Sequence, residues 1–283
     1  MTTKFDIEAA VKQAAEQGPN MNEAQKGGGG TYTPPAEGVC RLRFIGYVEG
    51  GKQKHEFQGT LSYKDKVKLI FELSGPKHQP RKTEDGTLIP YRMTIEETLS
   101  LSEKANFYKL FRAMNYDGTA THMAQLLGRD FLGTVFHKKS KSGKTYALLK
   151  GPSGYSVRSP HYEDPNTGQT HTISADPLMS DLRCFLWEFP SKEMWDSLYI
   201  EGTYEERKDE DGNVTASARS KNVFQEWIKE ASNWVGSPMH DILSAGGELG
   251  LPSTTPNAEE EEEETGDALS EWIDDNDPLA GIA

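Results

Sequence analysis

The chain has 283 residues, enough for one large or two modest domains, and its formal net charge is -13. It contains no apolar run of the roughly 18 residues that a membrane span needs, and its first residues lack the apolar stretch of a secretion signal. We therefore expect a cytoplasmic protein with no membrane partner. The two cysteines, Cys40 and Cys184, are isolated and fit neither a disulfide framework nor a zinc ribbon.

The charges are sorted along the chain. Residues 38–160 contain 21 Lys and Arg against 11 Asp and Glu, residues 161–258 contain 7 against 17, and residues 259–283 contain none against 11. Because basic surface attracts the phosphates of nucleic acids, the basic middle segment indicates such a partner despite the negative total. The acidic segments are interpreted as appendages of this basic module.

Residues 1–30 predict a flexible N-terminal arm. A short amphipathic helix begins after Asp6 and ends at Gly18-Pro19, and its apolar face is small. Four consecutive glycines at positions 27–30 then predict a flexible linker to the next domain.

Period-two alternation of apolar residues predicts three strands after this arm. They cover residues 38–47, 67–73 and 91–101, with Gly46 offering a bulge in the first. Leu42 and Phe44 are assigned to the inward face of the first strand, which places its alternate residues outward.

A helix and two more strands follow. Ser100 and Glu103 form a predicted capping box for a helix that ends at Asp117-Gly118, and a second short helix covers residues 123–127. Strands at 131–137 and 144–150 are joined by a basic turn. The order predicts a mainly β protein whose residues 31–152 form a five-stranded OB-type Greek-key barrel, a fold that binds oligonucleotides.

The C-terminal half is less regular. Residues 153–250 predict a helical and loop elaboration that either packs on the barrel or forms a small second domain, with a linker at 153–177 and a helix at 221–235. Residues 251–283 include six consecutive glutamates and predict a disordered acidic tail.

The predicted barrel offers the residues that single-strand binders use, which are basic groups for phosphates and aromatic rings for bases. On the outward faces of the first three strands lie Arg41, Arg43, Tyr47, Lys66, Lys68 and Arg92. The loops and the last two strands add Arg81, Lys82, Lys138, Lys139 and Lys144. Tyr91 and Tyr146 are further stacking candidates, although burial in the core explains each of them equally well.

Other kinds of site are disfavoured. Gly143-Lys144-Thr145 is similar to the end of a P-loop, but Lys138 stands where that motif needs a glycine. His161, Asp164 and His171 match no dependable metal-ligand spacing. We therefore expect no cofactor, no metal, no catalytic residue and no enzymatic activity.

The tail carries apolar residues among its acids, and this pattern predicts a partner-binding segment. Its candidate contacts are Trp272, Ile273, Asp274, Asp275, Asp277, Pro278 and Leu279. A tail that only makes the protein more soluble would explain residues 259–264, but it would not explain the apolar pairs Trp272-Ile273 and Pro278-Leu279.

The strand sequences at 40–47 and 67–73, together with this tail, resemble the single-stranded DNA-binding proteins of bacteriophages. The resemblance implies binding and protection of single-stranded DNA during replication, recombination and repair in an infected bacterial cell. It also implies that the tail docks a DNA polymerase, primase or helicase. The tail departs from that family because it ends Leu279-Ala280-Gly281-Ile282-Ala283 rather than in an aromatic residue. The sequence is compatible with a homodimer as well as with a monomer.

Three alternative functions remain beside this one. An annealing, recombination or transcription accessory factor would use the same barrel, and a nuclease-type enzyme would show turnover and a metal requirement. A DNA-mimicking inhibitor would need its acids on a folded surface, whereas the densest acids here lie in the tail. Oligonucleotides with matched and unmatched sequences separate an annealing factor from a passive binder.

Overall fold

The computed structural model describes residues 33–245, apart from residues 58, 84–85, 141–142 and 209–213. The predicted N-terminal arm and acidic tail lie outside the described residues. The described residues divide into a main unit, residues 33–204 with 219–245, and a small unit, residues 205–208 with 214–218. In the small unit the structure describes one hairpin, whose strands are β14 (Arg207–Lys208) and β15 (Val214–Ala216).

The main unit is mainly β and is built on one antiparallel sheet. Its five antiparallel strands are β1 (Gly38–Phe57), β2 (Thr60–Ser74), β5 (Tyr91–Thr98), β6 (Asp130–Lys139) and β7 (Thr145–Leu148). They are ordered β5-β2-β1-β6-β7. A sixth strand, β12 (Arg183–Phe185), pairs in parallel with β1.

Short hairpins and helices connect and cover these strands. The hairpins are β3–β4 (Arg81–Lys82, Leu88–Ile89), β8–β9 (Lys150–Gly151, Gly154–Tyr155), β10–β11 (His161–Glu163, Thr170–Thr172) and β13–β16 (Thr203–Tyr204, Arg219–Ser220). The α-helices are α1 (Asn106–Met114), α2 (Lys192–Ser197), α3 (Val223–Lys229) and α4 (Pro238–Ser244), and a 3-10 helix covers Met123–Leu126.

The closed barrel that the sequence predicts is not formed. In the part of the chain that is described, β5 and β7 remain the two edges of the sheet and do not pair with each other. A side-chain contact links the β5 edge to the chain that follows β7, since the Tyr155 hydroxyl donates to the Glu97 carboxylate at 2.6 Å. Burial and this carboxylate both raise the pKa of Tyr155, which keeps its hydroxyl protonated as a donor.

Strand β1 supplies apolar side chains to both faces of the sheet, and a bulge makes this arrangement possible. Phe44 pairs with Phe71, but the next paired residue is Gly46, opposite Ile70, so that Ile45 is the extra residue. The bulge shifts the alternation by one. Phe44 and Tyr47 therefore share one face, while Ile45 and Val48 lie on the other.

Each face carries its own apolar cluster. The inner core joins β1, β2 and β6 to helix α1, and its members include Phe44, Tyr47, Phe71, Phe131 and Leu110. The outer core covers the opposite face with the C-terminal segment, through Phe185, Trp187, Trp195, Phe224 and Ile228. This C-terminal segment, residues 185–200 and 223–242, thus packs against the sheet through Ile45, Val48 and Ile70.

The element predictions from the sequence are confirmed for the strands and are less accurate for the helices. Strands β1 and β2 are longer than predicted, because they continue as a two-stranded ribbon to Phe57 and back from Thr60. Helix α1 begins at Asn106, so the capping box at Ser100 and Glu103 is wrong. The predicted helix at 221–235 is α3, which ends at Lys229, and α4 follows it. The predicted linker at 153–177 contains the β10–β11 hairpin.

Close packing of the outer core on β1 predicts a specific steric effect at Gly50. A Cβ atom at this position would lie 2.2 to 2.6 Å from ring atoms of Trp227, so the indole would have to move. We expect Gly50→Ala to lower the free energy of unfolding by about 1–3 kcal/mol, as measured by urea denaturation. In a Trp227→Ala background the same change should cost much less. Equal costs in both backgrounds would show that the indole does not restrict this site.

Candidate nucleic-acid interface

Seven of the predicted DNA-binding residues lie at one end of the sheet, which we call the basic end. Strand β5 begins there at Tyr91, opposite Leu73 near the end of β2. Strand β6 ends there at Lys139, beyond Val135, which pairs with Gly38 at the start of β1. The residues of the basic end are Arg81, Lys82, Tyr91, Lys138, Lys139, Lys144 and Tyr146.

The β6–β7 hairpin places one lysine beside an aromatic ring and two more lysines close by. Lys138 pairs with Tyr146 and Lys139 pairs with Thr145 across the two strands. Directly opposite residues of an antiparallel pair share a face, so the Lys138 and Tyr146 side chains are neighbours. Both lysines and Lys144 are exposed, and Tyr146 is half-buried. This hairpin can therefore present ammonium groups to phosphates and one side of a ring to a base.

The β3–β4 hairpin adds a second basic and aromatic pair. The Arg81 guanidinium lies over the Tyr91 ring, 4.8 Å from its centroid, and Lys82 beside it is exposed. Tyr91 also packs partly against the inner core. Arg81 and the core therefore cover parts of this ring, and only the remaining surface can contact a base.

Arg41, Arg43 and Arg92 lie on the outer face as predicted, but they contact the protein's own chain. Their partners lie in residues 175–180, a segment that we call the strap. Arg41 forms an ion pair with Asp176 at 2.9 Å, and Arg92 Nε donates to the Ser180 hydroxyl at 2.8 Å. Arg43 donates to the Asp176 carbonyl at 3.1 Å. These arginines therefore hold the strap against the sheet.

Further contacts fix the strap and Arg43. The Asp176 amide donates to the Ser74 hydroxyl and the Met179 amide donates to the Glu72 carboxylate, both at 3.1 Å. Arg43 also forms an ion pair with Asp130 at 3.0 Å and donates to the Gly128 carbonyl at 3.2 Å. Arg43 thus ties the strap to the start of β6.

Lys66 and Lys68 lie on the outer face but are covered by the C-terminal segment or by neighbouring strands. The Lys68 ammonium lies 4.3 Å from the centroid of a Trp227 ring and 3.8 Å from the Glu96 carboxylate. Lys66 is buried, and burial lowers its pKa although Glu96 and Glu97 oppose this effect. Neither ammonium group is presented to solvent in the way that the sequence predicts.

The prediction that Tyr47 faces outward is wrong. Tyr47 is 1% exposed and belongs to the inner core, where its hydroxyl donates to the Glu49 carboxylate at 2.8 Å. Glu49 also accepts the Trp187 amide at 2.7 Å, so it links the inner core to the outer layer. The error comes from counting the alternation through the bulge at Ile45 without shifting it by one residue.

The structure adds an aromatic and basic pair that the sequence pattern did not reveal. On the ribbon of β1 and β2, Lys54 pairs with Tyr63, whose side chain is 53% exposed. The period-two pattern of β2 can be extended back from Val67 to Tyr63. This extension would have placed Tyr63 in the strand that pairs with β1, with its side chain on the same face as that of Val67. The predicted partner-binding residues of the tail, Trp272 to Leu279, lie outside the described residues and stay a prediction.

The described ranges hold no metal centre and no membrane span. Among those residues no group of three or more His, Cys, Asp or Glu side chains is arranged to hold a metal ion. None of the described helices has the length and apolar character needed to cross a membrane. Comparison of the chain with family models, curated proteins and solved structures found no match.

The different surroundings of Arg43 and Lys139 predict different effects on stability. Arg43→Ala removes an ion pair and several hydrogen bonds and leaves Asp130 without this partner, so we expect a loss of about 1–3 kcal/mol in the free energy of unfolding. Lys139→Ala, at an exposed hairpin position, should change it by less than about 0.5 kcal/mol. Urea denaturation of both variants measures the difference, and equal effects would contradict the structural role of Arg43.

Proposed function

We propose that this chain binds single-stranded DNA without sequence preference, and that the basic end is its main contact surface. The observation that carries the proposal is the β6–β7 hairpin, where exposed Lys138 lies beside the half-buried ring of Tyr146, and exposed Lys139 and Lys144 add to the charge of the same hairpin. Ammonium groups neutralise phosphates of any sequence, and a ring stacks on any base. Such a surface does not read base edges and therefore gives sequence-tolerant binding.

The strand order supports an OB-type origin of this surface. The sheet order β5-β2-β1-β6-β7 is the order of an OB barrel opened between its third and fifth strands, and α1 lies between the third and fourth strands. In OB folds the last hairpin and the face of the second and third strands contact oligonucleotides. The β6–β7 hairpin occupies the position of that last hairpin here.

A role in DNA replication, recombination and repair belongs to the same proposal, as in the bacteriophage proteins that the sequence resembles. The acidic tail would recruit a replication enzyme through Trp272-Ile273 and Pro278-Leu279. Its 11 acidic residues and lack of lysine or arginine also make it an electrostatic competitor of DNA for the basic end.

The basic end predicts a measurable salt dependence. Titration with labelled oligo-dT should show that Lys138→Ala, Lys139→Ala and Lys144→Ala, combined in one chain, lower the affinity at low salt by about tenfold or more. The slope of log K against log salt should become shallower by about 0.7 for each phosphate that the variant no longer neutralises. Tyr146→Leu should weaken binding with little change in slope, because it removes a ring and no charge.

A matched control is available on helix α1 and directly before it. Lys104, Lys109 and Arg112 are exposed, and α1 follows the end of β5 that is opposite to the basic end. Replacing these three residues by alanine makes the same change in net charge and should have a much smaller effect on affinity. Equal losses from the two triple variants, or equal affinity of the unmodified chain for duplex and single strands, would contradict the proposal.

Removal of residues 259–283 tests the role proposed for the tail. We expect the truncated chain to bind single strands as tightly as the full chain or more tightly, because a competitor of net charge -11 is removed. The two affinities should converge as salt is raised, since screening weakens the competition. The truncated chain should also fail to associate with replication enzymes in pull-down experiments. Weaker DNA binding by the truncated chain at every salt concentration would exclude this role.

A further inference from the structure

The strap lies across the outer face and is held mainly by polar contacts. None of its residues 175–180 belongs to a helix or strand. The groups that hold it come from side chains of the sheet: Arg41 and Arg43 on β1, Glu72 and Ser74 on β2, and Arg92 on β5. A segment held in this way can be displaced by a molecule that forms stronger hydrogen bonds or ion pairs with the same side chains of the sheet.

Apolar burial contributes little to holding the strap. Leu178 is 40% exposed and Met179 is 45% exposed, and Leu182 directly after the strap is 46% exposed. Burial of apolar surface is the main force that fixes a segment on a sheet, and these side chains bury only part of their apolar surface. By contrast, Phe185, three residues after Leu182, is fully buried in the outer core. The apolar side chains of Leu178, Met179 and Leu182 are thus partly exposed, whereas Phe185 packs firmly in the outer core.

The strap gives the arginines oxygen acceptors, which is the role that phosphate oxygens have when arginines bind a nucleic acid. Arg41 binds the Asp176 carboxylate, Arg43 binds the Asp176 carbonyl, and Arg92 binds a hydroxyl oxygen of Ser180. Guanidinium groups bind phosphate oxygens with the same donors, and a phosphodiester carries the same negative charge as the Asp176 carboxylate and more than the neutral carbonyl and hydroxyl. A polyanion can therefore compete with the strap for these positions.

The outer face continues the basic end. Arg92 follows Tyr91 on β5, and Arg41 pairs with Ser74 at the end of β2, so both arginines lie close to the basic end in the register of the sheet. A single strand bound at the basic end would reach them next along its backbone. Arg43 would stay in place without the strap, because Asp130 and the Gly128 carbonyl also hold it. Glu72 would keep cationic neighbours, since it pairs with Arg43 on one side and Arg92 on the other.

We infer that the strap is a displaceable cover over Arg41 and Arg92, and that the phosphates of a bound single strand replace it there. This inference rests on the proposed function, because it extends the same DNA site onto the outer face. The end of the strap that would move is the one attached to the β10–β11 hairpin, whose strand residues are all exposed. The other end is anchored by β12, which pairs with β1.

Hydrogen exchange on the unmodified full-length chain tests the inference directly. The amides of Asp176 and Met179 are bonded to Ser74 and Glu72 in the free protein and lose these acceptors when the strap leaves. We expect faster exchange in the peptide that spans residues 174–182 when oligo-dT is added, and no acceleration in β12. Fluorescence anisotropy of the labelled DNA in the same samples establishes that it is bound.

The outcomes separate the two proposals. Bound DNA with unchanged or slower exchange in residues 174–182 would overturn the cover while leaving single-strand binding intact. No binding of DNA at all would overturn the proposed function, and the cover with it. Because this experiment uses no variant, it does not depend on any substituted chain folding correctly.

Variants of the strap give an independent measurement. Asp176→Ala combined with Ser180→Ala removes the side chains with which the strap binds Arg41 and Arg92, so we expect about three- to tenfold tighter binding of oligo-dT because the cover competes less. The control is Asp181→Ala with Ser180 intact, which makes the same charge change in an exposed residue next to the strap. Adding Arg41→Ala should abolish the gain. An equal gain in the control, or a gain that survives Arg41→Ala, would contradict the inference.

Discussion

The bulge at Ile45 allows one strand to support two apolar clusters, and the rest of the main unit depends on it. Without the extra residue, the alternation that brings Leu42 and Phe44 into the inner core would place Tyr47 on the outer face. With it, Ile45 and Val48 give the outer face enough apolar surface to hold the C-terminal segment. That segment then covers the part of the outer face on which Lys68 lies.

The sequence predicts the strands well because period-two alternation is a local property of the chain. It places Arg41, Arg43 and Arg92 on the outer face correctly, and it brings together most of the basic end through the pairing of β6 with β7. It could not predict the partners of those arginines, since Arg41 and Asp176 are 135 positions apart and no local pattern joins them. Helix ends were less accurate, because α1 has no side-chain cap that a sequence motif would reveal.

Arginine and lysine take different positions in this molecule, and their chemistry explains the division. Arg41, Arg43 and Arg129 each bind a carboxylate, and Arg43 also binds several carbonyls of its own chain, as suits a planar group with five donors. The exposed cations of the hairpins are mostly lysines, which keep a strongly hydrated charge on a flexible stem. The excess of basic residues between positions 38 and 160 therefore overstates the positive charge that a partner can contact. The number of exposed lysines is a better measure of that charge.

The distribution of aromatic residues decides what optical signals this protein can give. Four of its five tryptophans, Trp187, Trp195, Trp227 and Trp234, belong to the outer core or pack against it, whereas the rings of the basic end are tyrosines. Indole emission responds to the immediate surroundings of the ring, so its intrinsic fluorescence reports on the layer next to the strap and on Trp272 in the tail. Occupation of the basic end alone would leave the four indoles of the folded unit in unchanged surroundings. A spectral change in a chain that lacks the tail would mark a rearrangement of the outer face.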